Sequence, residues 1–323
     1  ERLTNATLSY VLYLRDAILP ARLAAFYPYV PVGIGPAAAA GVALAAVTFL
    51  GWRLRRRHPY LLAGWLWYII TLAPMSGLVQ VGSHARADRF AYLPLTGIFL
   101  AAVCGGHELV RALRARAAAS ARSADAGAAR TSRMDAAAAV GRIAAGCAAL
   151  LIGAAGVAAH VQARTWRDDP ALWNHALRVT DGNYLAHMKL GAVLAQSGDR
   201  GKALEHFREA LRISPDYLDA WYNYATVLSE PGKREESIAA FETGLRLRPG
   251  DPRLRQGLAR TWNNRGVDEA ESGRMEEAIR SFEEAVRTWP EDAAARQNLE
   301  RARAAASRPP APAAPSPSSA PAR

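Results

Sequence analysis

The sequence predicts an all-α protein with four transmembrane helices in its first half and a solenoid of stacked helix pairs in its second half. Three observations predict this class. The first half contains long stretches without a charged side chain. Its excess charge lies mainly in short arginine runs between those stretches, with 16 Lys and Arg against 6 Asp and Glu over residues 1–161. Aromatic and proline residues recur every 34 positions in the second half, which is typical of stacked helix pairs.

The uncharged stretches are long enough to cross a bilayer, since about 20 apolar residues in a helix span its hydrocarbon core. These stretches cover residues 23–52, 59–83, 90–106 and 143–163. We therefore expect a four-span membrane domain over residues 36–161. Its spans are predicted at residues 36–52, 60–79, 91–110 and 137–160.

Two arginine runs predict the orientation of the spans. The loops 53–58 and 111–133 contain four and six Arg, and short Arg-rich loops stay in the cytoplasm. Alternation then places residues 1–35, the loop 80–90 and everything after residue 161 on the opposite face. We expect a multi-pass inner-membrane protein with a periplasmic second half. The net charge of +11 does not indicate nucleic-acid binding, because the arginine runs lie between spans.

Residues 1–35 are expected to form an exterior segment with one helix in the membrane interface. Leu8, Leu12 and Ile18 are apolar, whereas Arg15 and Asp16 interrupt any span. Such an amphipathic stretch is typical of helices that lie in the plane of the membrane.

The period of the second half predicts tetratricopeptide repeats. Trp173, Phe207 and Phe241 are spaced by 34 residues, as are Pro215 and Pro249. Each repeat contributes a first helix, A, and a second helix, B. The predicted domain covers residues 162–306 and comprises a half-repeat at 162–183, repeats at 184–217, 218–251 and 259–292, and a capping helix at 293–306. Seven extra residues are expected to lengthen the junction before the third repeat. The Pro, Ala and Ser tail 307–323 is expected to be disordered.

Small residues predict how the two helices of a repeat pack. A small residue of helix A (Gly191, Ala225 or Gly266) is expected to face a small residue of helix B, with a phenylalanine wedged between successive repeats. A proline then ends helix B, because it lacks the amide donor that the helix needs.

The helices A are expected to line a concave groove that binds a peptide or protein. The candidate groove residues are Met188, Ala192, Gln196, Tyr222, Asn223, Thr226, Asn263, Asn264 and Val267. Asn223 and Asn264 occupy the position that hydrogen-bonds a ligand backbone in related repeats. The alternative is that these asparagines only satisfy a neighbouring repeat.

Residues 77–99, GLVQVGSHARADRFAYLPLTGIF, carry a family resemblance in the residues Ala87, Asp88, Arg89, Tyr92 and Pro94. This string resembles the late exterior loop and following span of the transmembrane and tetratricopeptide-repeat-containing (TMTC-like) multispan glycosyltransferases. The segments 5–31 and 165–191 are similar to parts of the same family. The chain therefore resembles the carboxyl-terminal half of such an enzyme.

The resemblance implies transfer of a sugar such as mannose from a polyprenyl-phosphate carrier to a Ser or Thr hydroxyl group of an exported protein. The catalytic carboxylate is expected in a first large exterior loop that this sequence lacks, so we expect neither a catalytic residue nor a cofactor in this fragment. Arg86 and Arg89 are the candidates for binding the lipid phosphate, since guanidinium groups bind phosphate bidentately, with Asp88 orienting them. The alternative is a structural pair of Asp88 with either arginine.

Two functions stay open from the sequence. The first is the glycosyltransferase part, with membrane lipids, the polyprenyl-phosphate carrier and an acceptor protein as partners. The second is a membrane-anchored scaffold without enzymatic activity, whose repeats bind other proteins. No metal site is expected, because the two Cys and seven His are scattered along the chain.

Overall fold

The computed structural model describes residues 2–20, 23–29, 31, 33–76, 84–120 and 129–307. These residues form 13 α-helices and one small two-stranded sheet, so the prediction of an all-α protein is confirmed. The chain divides into two compact units, residues 1–190 and 191–323. The predicted tail lies outside the described residues from residue 308 onward.

The first unit contains six complete helices and the sheet. Its helices are α1 (Arg2–Ile18), α2 (Ile34–Leu54), α3 (Pro59–Leu72), α4 (Tyr92–Ser120), α5 (Ala129–Arg164) and α6 (Asp169–Val179). The strands are β1 (Tyr27–Pro28) and β2 (His84–Arg86). The next helix, α7 (Tyr184–Gln196), begins in this unit and ends in the second.

Three of the described helices are long and apolar enough to cross a membrane, namely Ile34–Leu54, Tyr92–Ala119 and Met134–Arg164. The predicted second span corresponds to a shorter apolar helix, Pro59–Met75, so four spans are not established. Pro74 lies in a 3₁₀ turn that ends α3, since proline cannot donate the next helical hydrogen bond. Residues 77–79 of that predicted span lie outside the described residues.

The predicted loop 111–133 is largely helical. Helix α4 continues to Ser120 and α5 begins at Ala129, while residues 121–128 lie outside the described residues. Alanine separates most of the arginines here, and both residues are good helix formers. The run therefore extends two helices instead of forming a long loop.

Helices α3 and α4 pack closely through Gly64 and Gly97. A Cβ atom on Gly64 would lie 2.3 Å from the carbonyl oxygen of Gly97, and one on Gly97 would lie 2.6 Å from the carbonyl oxygen of Gly64. Only glycine fits at both positions, so the two backbones touch.

Helix α1 forms as predicted and packs on α3 through aromatic residues. Tyr68 donates a hydrogen bond to the carbonyl oxygen of Tyr10 (2.6 Å), and Tyr10 donates one to that of Ile69 (3.0 Å). The buried face of α1 also includes Asn5, Ser9, Tyr13 and Asp16. Its predicted place in the membrane interface stays a prediction.

The second unit continues with helices that each contact the next along the chain. These are α8 (Arg200–Ile213), α9 (Leu218–Leu228), α10 (Arg234–Leu247), α11 (Pro252–Glu271), α12 (Met275–Thr288) and α13 (Ala293–Ala306). This order of contacts is the arrangement of an α-solenoid.

The third repeat departs from the predicted boundaries. The prediction that seven extra residues lengthen the junction before residue 259 is wrong, because those residues are the first two turns of α11. Asp251 caps this helix by accepting hydrogen bonds from the backbone of Arg253 (3.0 Å) and Leu254 (3.2 Å). Pro252 occupies the first helical turn, where its missing donor costs nothing.

Phenylalanine rings pack on glycines in the helices A. Phe207 lies on Gly191, and Phe282 lies on Gly266. The ring of Phe241 instead lies on Gly257, where a Cβ atom would come within 2.4 Å of it. Gly257 belongs to the extension of α11, so this extension supplies a small residue for the ring.

Candidate functional site

The extended segment 23–29 meets the loop before α4 in a small antiparallel sheet. Tyr27 pairs with Arg86 across this sheet. Arg86 is only 7% exposed, and its guanidinium group lies 3.9 Å from the centre of the Tyr27 ring. The same group forms a buried ion pair with Asp16 of α1. Arg86 therefore joins α1 and the extended segment that follows it to the loop before α4, about 60–70 residues further along the chain.

Asp88 lies beside this ion pair with one carboxylate oxygen unsatisfied. Its Oδ2 atom accepts a hydrogen bond from the Tyr27 hydroxyl group (3.0 Å). Its Oδ1 atom is buried and has no hydrogen-bond partner among the described residues. Burial raises the pKa of Asp88 to about 6, while the Tyr27 hydrogen bond and Arg86 act in the opposite direction. Asp88 is thus poised to bind a proton near neutral pH.

A cavity of about 120 Å³ adjoins these carboxylates, and its wall includes Tyr13, Asp16, Asp88 and Tyr92. The Tyr13 hydroxyl group accepts a hydrogen bond from the Ala87 amide (3.0 Å) and donates one to the Ala87 carbonyl oxygen (3.1 Å). Burial raises the pKa of Tyr13 to about 12. The hydroxyl group therefore stays protonated and fixes the loop to α1.

The predicted phosphate ligands have different surroundings. Arg86 is buried and forms its ion pair with Asp16. The alternative from the sequence was a structural pair of this arginine with Asp88. The side chain of Arg89 lies outside the described part of the chain. A phosphate role for either arginine stays a prediction.

Sequence reasoning missed Asp16 and Tyr27 as members of this cluster. Asp16 was predicted only to interrupt a span. An aspartate on the buried face of a helix requires a partner for its charge. That partner, Arg86, is 70 residues away, so the sequence alone could not identify it.

The extended segment also binds α6 and the start of α7. His175 donates a hydrogen bond to the carbonyl oxygen of Leu23 (2.9 Å), and Asn183 donates one to that of Phe26 (3.1 Å). Tyr27 packs in a cluster with Ala176 of α6. The predicted half-repeat is therefore held by a strand-like segment from the beginning of the chain.

The predicted groove residues of the second unit differ in the hydrogen bonds that their side chains form. Asn263 accepts a hydrogen bond from Asn298 of α13 (2.9 Å). The side chains of Asn223 and Thr226 donate to carbonyl oxygens of their own helix (2.8 and 2.7 Å). Asn264 forms no side-chain hydrogen bond with any described residue, so its amide group is available to a ligand.

Two further predicted groove residues differ in exposure. Gln196 is exposed. Met188 is 5% exposed, and its role as a groove residue stays a prediction. A buried thioether cannot contact a ligand without movement of the surrounding side chains.

A cavity of about 160 Å³ was not predicted from the sequence. It is lined by Tyr222, Gln256, Gly257, Arg260 and Asp292. Three of these residues belong to the first part of α11, which the repeat pattern had assigned to a junction or to a repeat edge. Recognising the Asp251–Pro252 pair as a helix start could have revealed them.

Arg260 contributes an unneutralised charge to this cavity. It is exposed and forms no ion pair with a described residue. Asp292, on the same wall, accepts hydrogen bonds from the backbone of Ala294 and Ala295 (3.0 and 3.1 Å). Arg253 is paired with Asp219 at 2.8 Å. The positive charge of Arg260 is therefore available to an anionic group.

Comparison with protein families identifies the helix pairs. The tetratricopeptide repeat family matches residues 194–261. The protein contains tetratricopeptide repeats. Such repeats bind peptides or proteins, which supports a protein partner for the second unit. No curated protein is similar enough to the chain to count as a match.

Several solved structures resemble the chain at low identity. A MamA structure is 18% identical over 44% of this chain and 76% of that chain, with a TM-score of 0.34. YrrB, described as a tetratricopeptide-repeat protein with an unusual peptide-binding site, is 20% identical over 66% of this chain and 89% of that chain, with a TM-score of 0.33. The Cut9-Hcn1 assembly is 16% identical over 91% of this chain and 52% of that chain, with a TM-score of 0.34.

The described residues contain no group of three or more His, Cys, Asp or Glu that could hold a metal ion. In the tetratricopeptide repeats, Asn264 offers hydrogen bonding, Arg260 a positive charge and Tyr222 apolar contact. The first unit adds the Asp16, Arg86 and Asp88 cluster.

Proposed function

We propose that this protein is a multi-pass membrane protein whose tetratricopeptide repeats bind an extended acidic segment of a partner protein. The observation that carries the proposal is the pairing of two available groups on α11. Arg260 has no ion-pair partner and Asn264 no hydrogen-bond partner among the described residues. Residues four apart lie on the same face of a helix, so both groups can reach one ligand.

The chemistry of these groups defines the ligand. An asparagine amide can donate to a backbone carbonyl oxygen and accept from a backbone amide, which suits an extended peptide. A guanidinium group binds carboxylates with two parallel hydrogen bonds. Tyr222 lines the same cavity as Arg260 and offers an aromatic surface. An extended segment with Asp or Glu beside an apolar residue fits this set.

Exposed apolar surface supports insertion in a membrane. None of the apolar window of Met134–Arg164 is buried within the protein, and Leu150, Leu151 and Ile152 are 72–75% exposed. A soluble protein rarely exposes so large a continuous apolar surface. A bilayer would cover it.

The contacts of the first unit support the predicted alternation of spans. Asp16, Tyr27, Arg86 and His175 come from segments that the charge pattern assigns to the face opposite the cytoplasm, and they lie in one connected cluster. We propose that α3 also crosses the membrane despite its length. Its two ends would then belong to opposite faces, with repeats in the periplasm and the arginine runs in the cytoplasm.

A finer proposal is that the chain belongs to a polyprenyl-phosphate-sugar-dependent, protein O-mannosyltransferase-like enzyme of the TMTC-like family. The resemblance of residues 77–99 supports it. The cavity beside Asp88 also favours this proposal. The unsatisfied carboxylate oxygen of Asp88 can accept a hydrogen bond and thereby orient the sugar donor. In this proposal Arg89 binds the carrier phosphate and Arg86 positions the loop through Asp16.

The finer proposal is tested with Arg89→Lys in the native full-length protein. Lysine keeps the charge but loses the bidentate geometry, so sugar transfer per inserted molecule should fall about tenfold to a hundredfold. Transfer at the normal rate would exclude the phosphate role. Absence of transfer by the unaltered full-length protein would leave the membrane-anchored scaffold.

The binding proposal is tested with the full chain in detergent and a fluorescent ten-residue peptide of alternating Asp and Leu. Asn264→Ala should weaken binding about fivefold, since one net hydrogen bond contributes about 1 kcal/mol, without lowering the melting temperature. Gln297→Ala, at an exposed position of α13, is the control and should bind normally. Equal affinity for the two variants would contradict the role of Asn264.

A further inference from the structure

An apolar groove lies among α2, α3 and α4, and its volume is about 410 Å³. Val47, Leu50 and Leu54 line it from α2, Trp65 from α3, and Ile98 from α4. None of the residues that line it is charged. Val47 and Leu54 are seven residues apart, so the groove follows α2 for about 10 Å.

Glycine makes this groove accessible. Gly106 lines it, and a Cβ atom at this position would have no atom within 4 Å. At Gly105 the nearest atoms to such a Cβ would be 3.7 Å away, in the Tyr60 side chain. Gly105 and Gly106 therefore leave space beside α4 that larger side chains would occupy.

Three arginines lie next to one end of the groove. Leu54 is followed directly by Arg55, Arg56 and Arg57. Arg56 and Arg57 are exposed and form no ion pair with a described residue. Arg55 instead donates a hydrogen bond to the carbonyl oxygen of Trp52 (2.7 Å) and lies over its ring.

The carboxylate of Glu108 on α4 already has two hydrogen-bond partners. Glu108 follows Gly105 by one helical turn, and its Oε2 atom lies 2.7 Å from His58 Nδ1. The Tyr60 hydroxyl group donates a second hydrogen bond to the same atom (2.9 Å). Glu108 is therefore held by α3 and leaves Arg56 and Arg57 without a counter-ion.

We propose that this groove binds one anionic phospholipid, with an acyl chain between α2 and α4 and the phosphate beside Arg56 and Arg57. The inference rests on the proposed membrane location. An apolar trough that ends at unpaired arginines is complementary to a molecule with an apolar chain and a phosphate. The positive charge of Arg56 and Arg57 favours a lipid with net negative charge over a zwitterionic lipid.

The test measures lipid retained by the purified full chain with native mass spectrometry, using dioleoyl phosphatidylglycerol and dioleoyl phosphatidylcholine as probes. We expect retention of phosphatidylglycerol and little retention of phosphatidylcholine. Gly106→Leu should reduce the retained phosphatidylglycerol at least fivefold, because leucine fills the groove. Gly153→Leu is the matched control, since a Cβ at Gly153 in α5 also meets no atom within 4 Å. It should leave retention unchanged.

The headgroup contact has its own pair of variants. Replacing Arg56 and Arg57 together by alanine should lower the affinity for phosphatidylglycerol about tenfold or more at low salt. The control replaces Arg114 and Arg116, which are exposed on the last turns of α4, and should lower it less than twofold. Equal losses for the two pairs would indicate general attraction to the membrane and overturn the site.

Two outcomes separate this inference from the proposed function. If alkaline carbonate releases the chain from cell membranes, the membrane location and the lipid site both fail. If the chain resists extraction but retention is insensitive to Gly106→Leu, only the lipid site fails. Preferential displacement of phosphatidylglycerol by undecaprenyl phosphate would assign the groove to a polyprenyl carrier and overturn the proposal. Dimers disrupted by Gly106→Leu would assign it to a second copy of the chain.

Discussion

The hydroxyl group of Tyr27 donates a hydrogen bond to Asp88 Oδ2 over 3.0 Å and thereby joins the extended segment after α1 to the loop before α4. The same segment is bound by His175 of α6 and by Asn183 at the start of α7. The apolar helices and the predicted half-repeat of the first unit are therefore connected through one stretch of chain. A change at Asp88 should therefore alter the stability of the first unit.

Asp88→Asn is expected to raise the stability of the first unit at pH 7.5. Burial raises the pKa of the Asp88 carboxyl group from its ordinary range to about 6. The stability that protonation provides is present below about pH 4 and is lost as the pH rises through about 6. Asparagine removes this loss, which we estimate at about 1–3 kcal/mol. Thermal unfolding in detergent at pH 5 and pH 7.5 measures it.

The control for this prediction is Asp135→Asn, which changes an exposed aspartate of α5. It should leave the pH dependence of unfolding unchanged. A melting temperature for Asp88→Asn below that of the unaltered protein at pH 7.5 would contradict the account.

Asp16→Asn is expected to destabilise the first unit, because it leaves the buried Arg86 without its ion-pair partner. Loss of one member of a buried pair costs about 3–5 kcal/mol. Adding Arg86→Gln should restore part of the loss, since no uncompensated charge then remains. Thermal unfolding of both single variants and the double variant measures the coupling. Additive losses would mean that the two side chains do not act as a pair.

Gly257→Ala is expected to destabilise the second unit by about 1–3 kcal/mol, because its Cβ would come within 2.4 Å of the Phe241 ring. Gly201→Ala is the matched control, since a Cβ there meets no atom within 4 Å. Denaturant unfolding followed by circular dichroism compares the two. Similar losses for both variants would contradict the packing of Phe241 on the extension of α11.

The sequence predicted the helix pairs well because their packing depends on local repeats of small and aromatic residues. Gly191 and Gly266 lie against Phe207 and Phe282, at the positions that the repeat register assigns to the small residue of helix A and the phenylalanine of helix B. The period could not predict the extension of α11. Extra residues between two repeats change only the spacing of the repeat positions, and the spacing does not show whether those residues are helical. A longer junction and a longer helix give the same spacing.

The candidate sites were less predictable because they depend on contacts between distant segments. The cluster around Arg86 requires Asp16 and Tyr27, which pattern and spacing do not connect to it. Arg260 gains its role from the cavity that the extension of α11 forms beside Tyr222. By contrast, Asn264 occupies a position that the repeat register already identified.

The most direct test of the proposed binding site reverses the charge of Arg260. The full chain is titrated in detergent with the Asp-Leu peptide and with a Lys-Leu peptide of the same length, and fluorescence anisotropy gives both affinities. We expect the unaltered protein to prefer the acidic peptide at least tenfold, and Arg260→Glu to remove or reverse that preference. Arg246→Glu, an exposed change on α10, should retain it. An unchanged preference in Arg260→Glu would contradict a groove that recognises acidic segments.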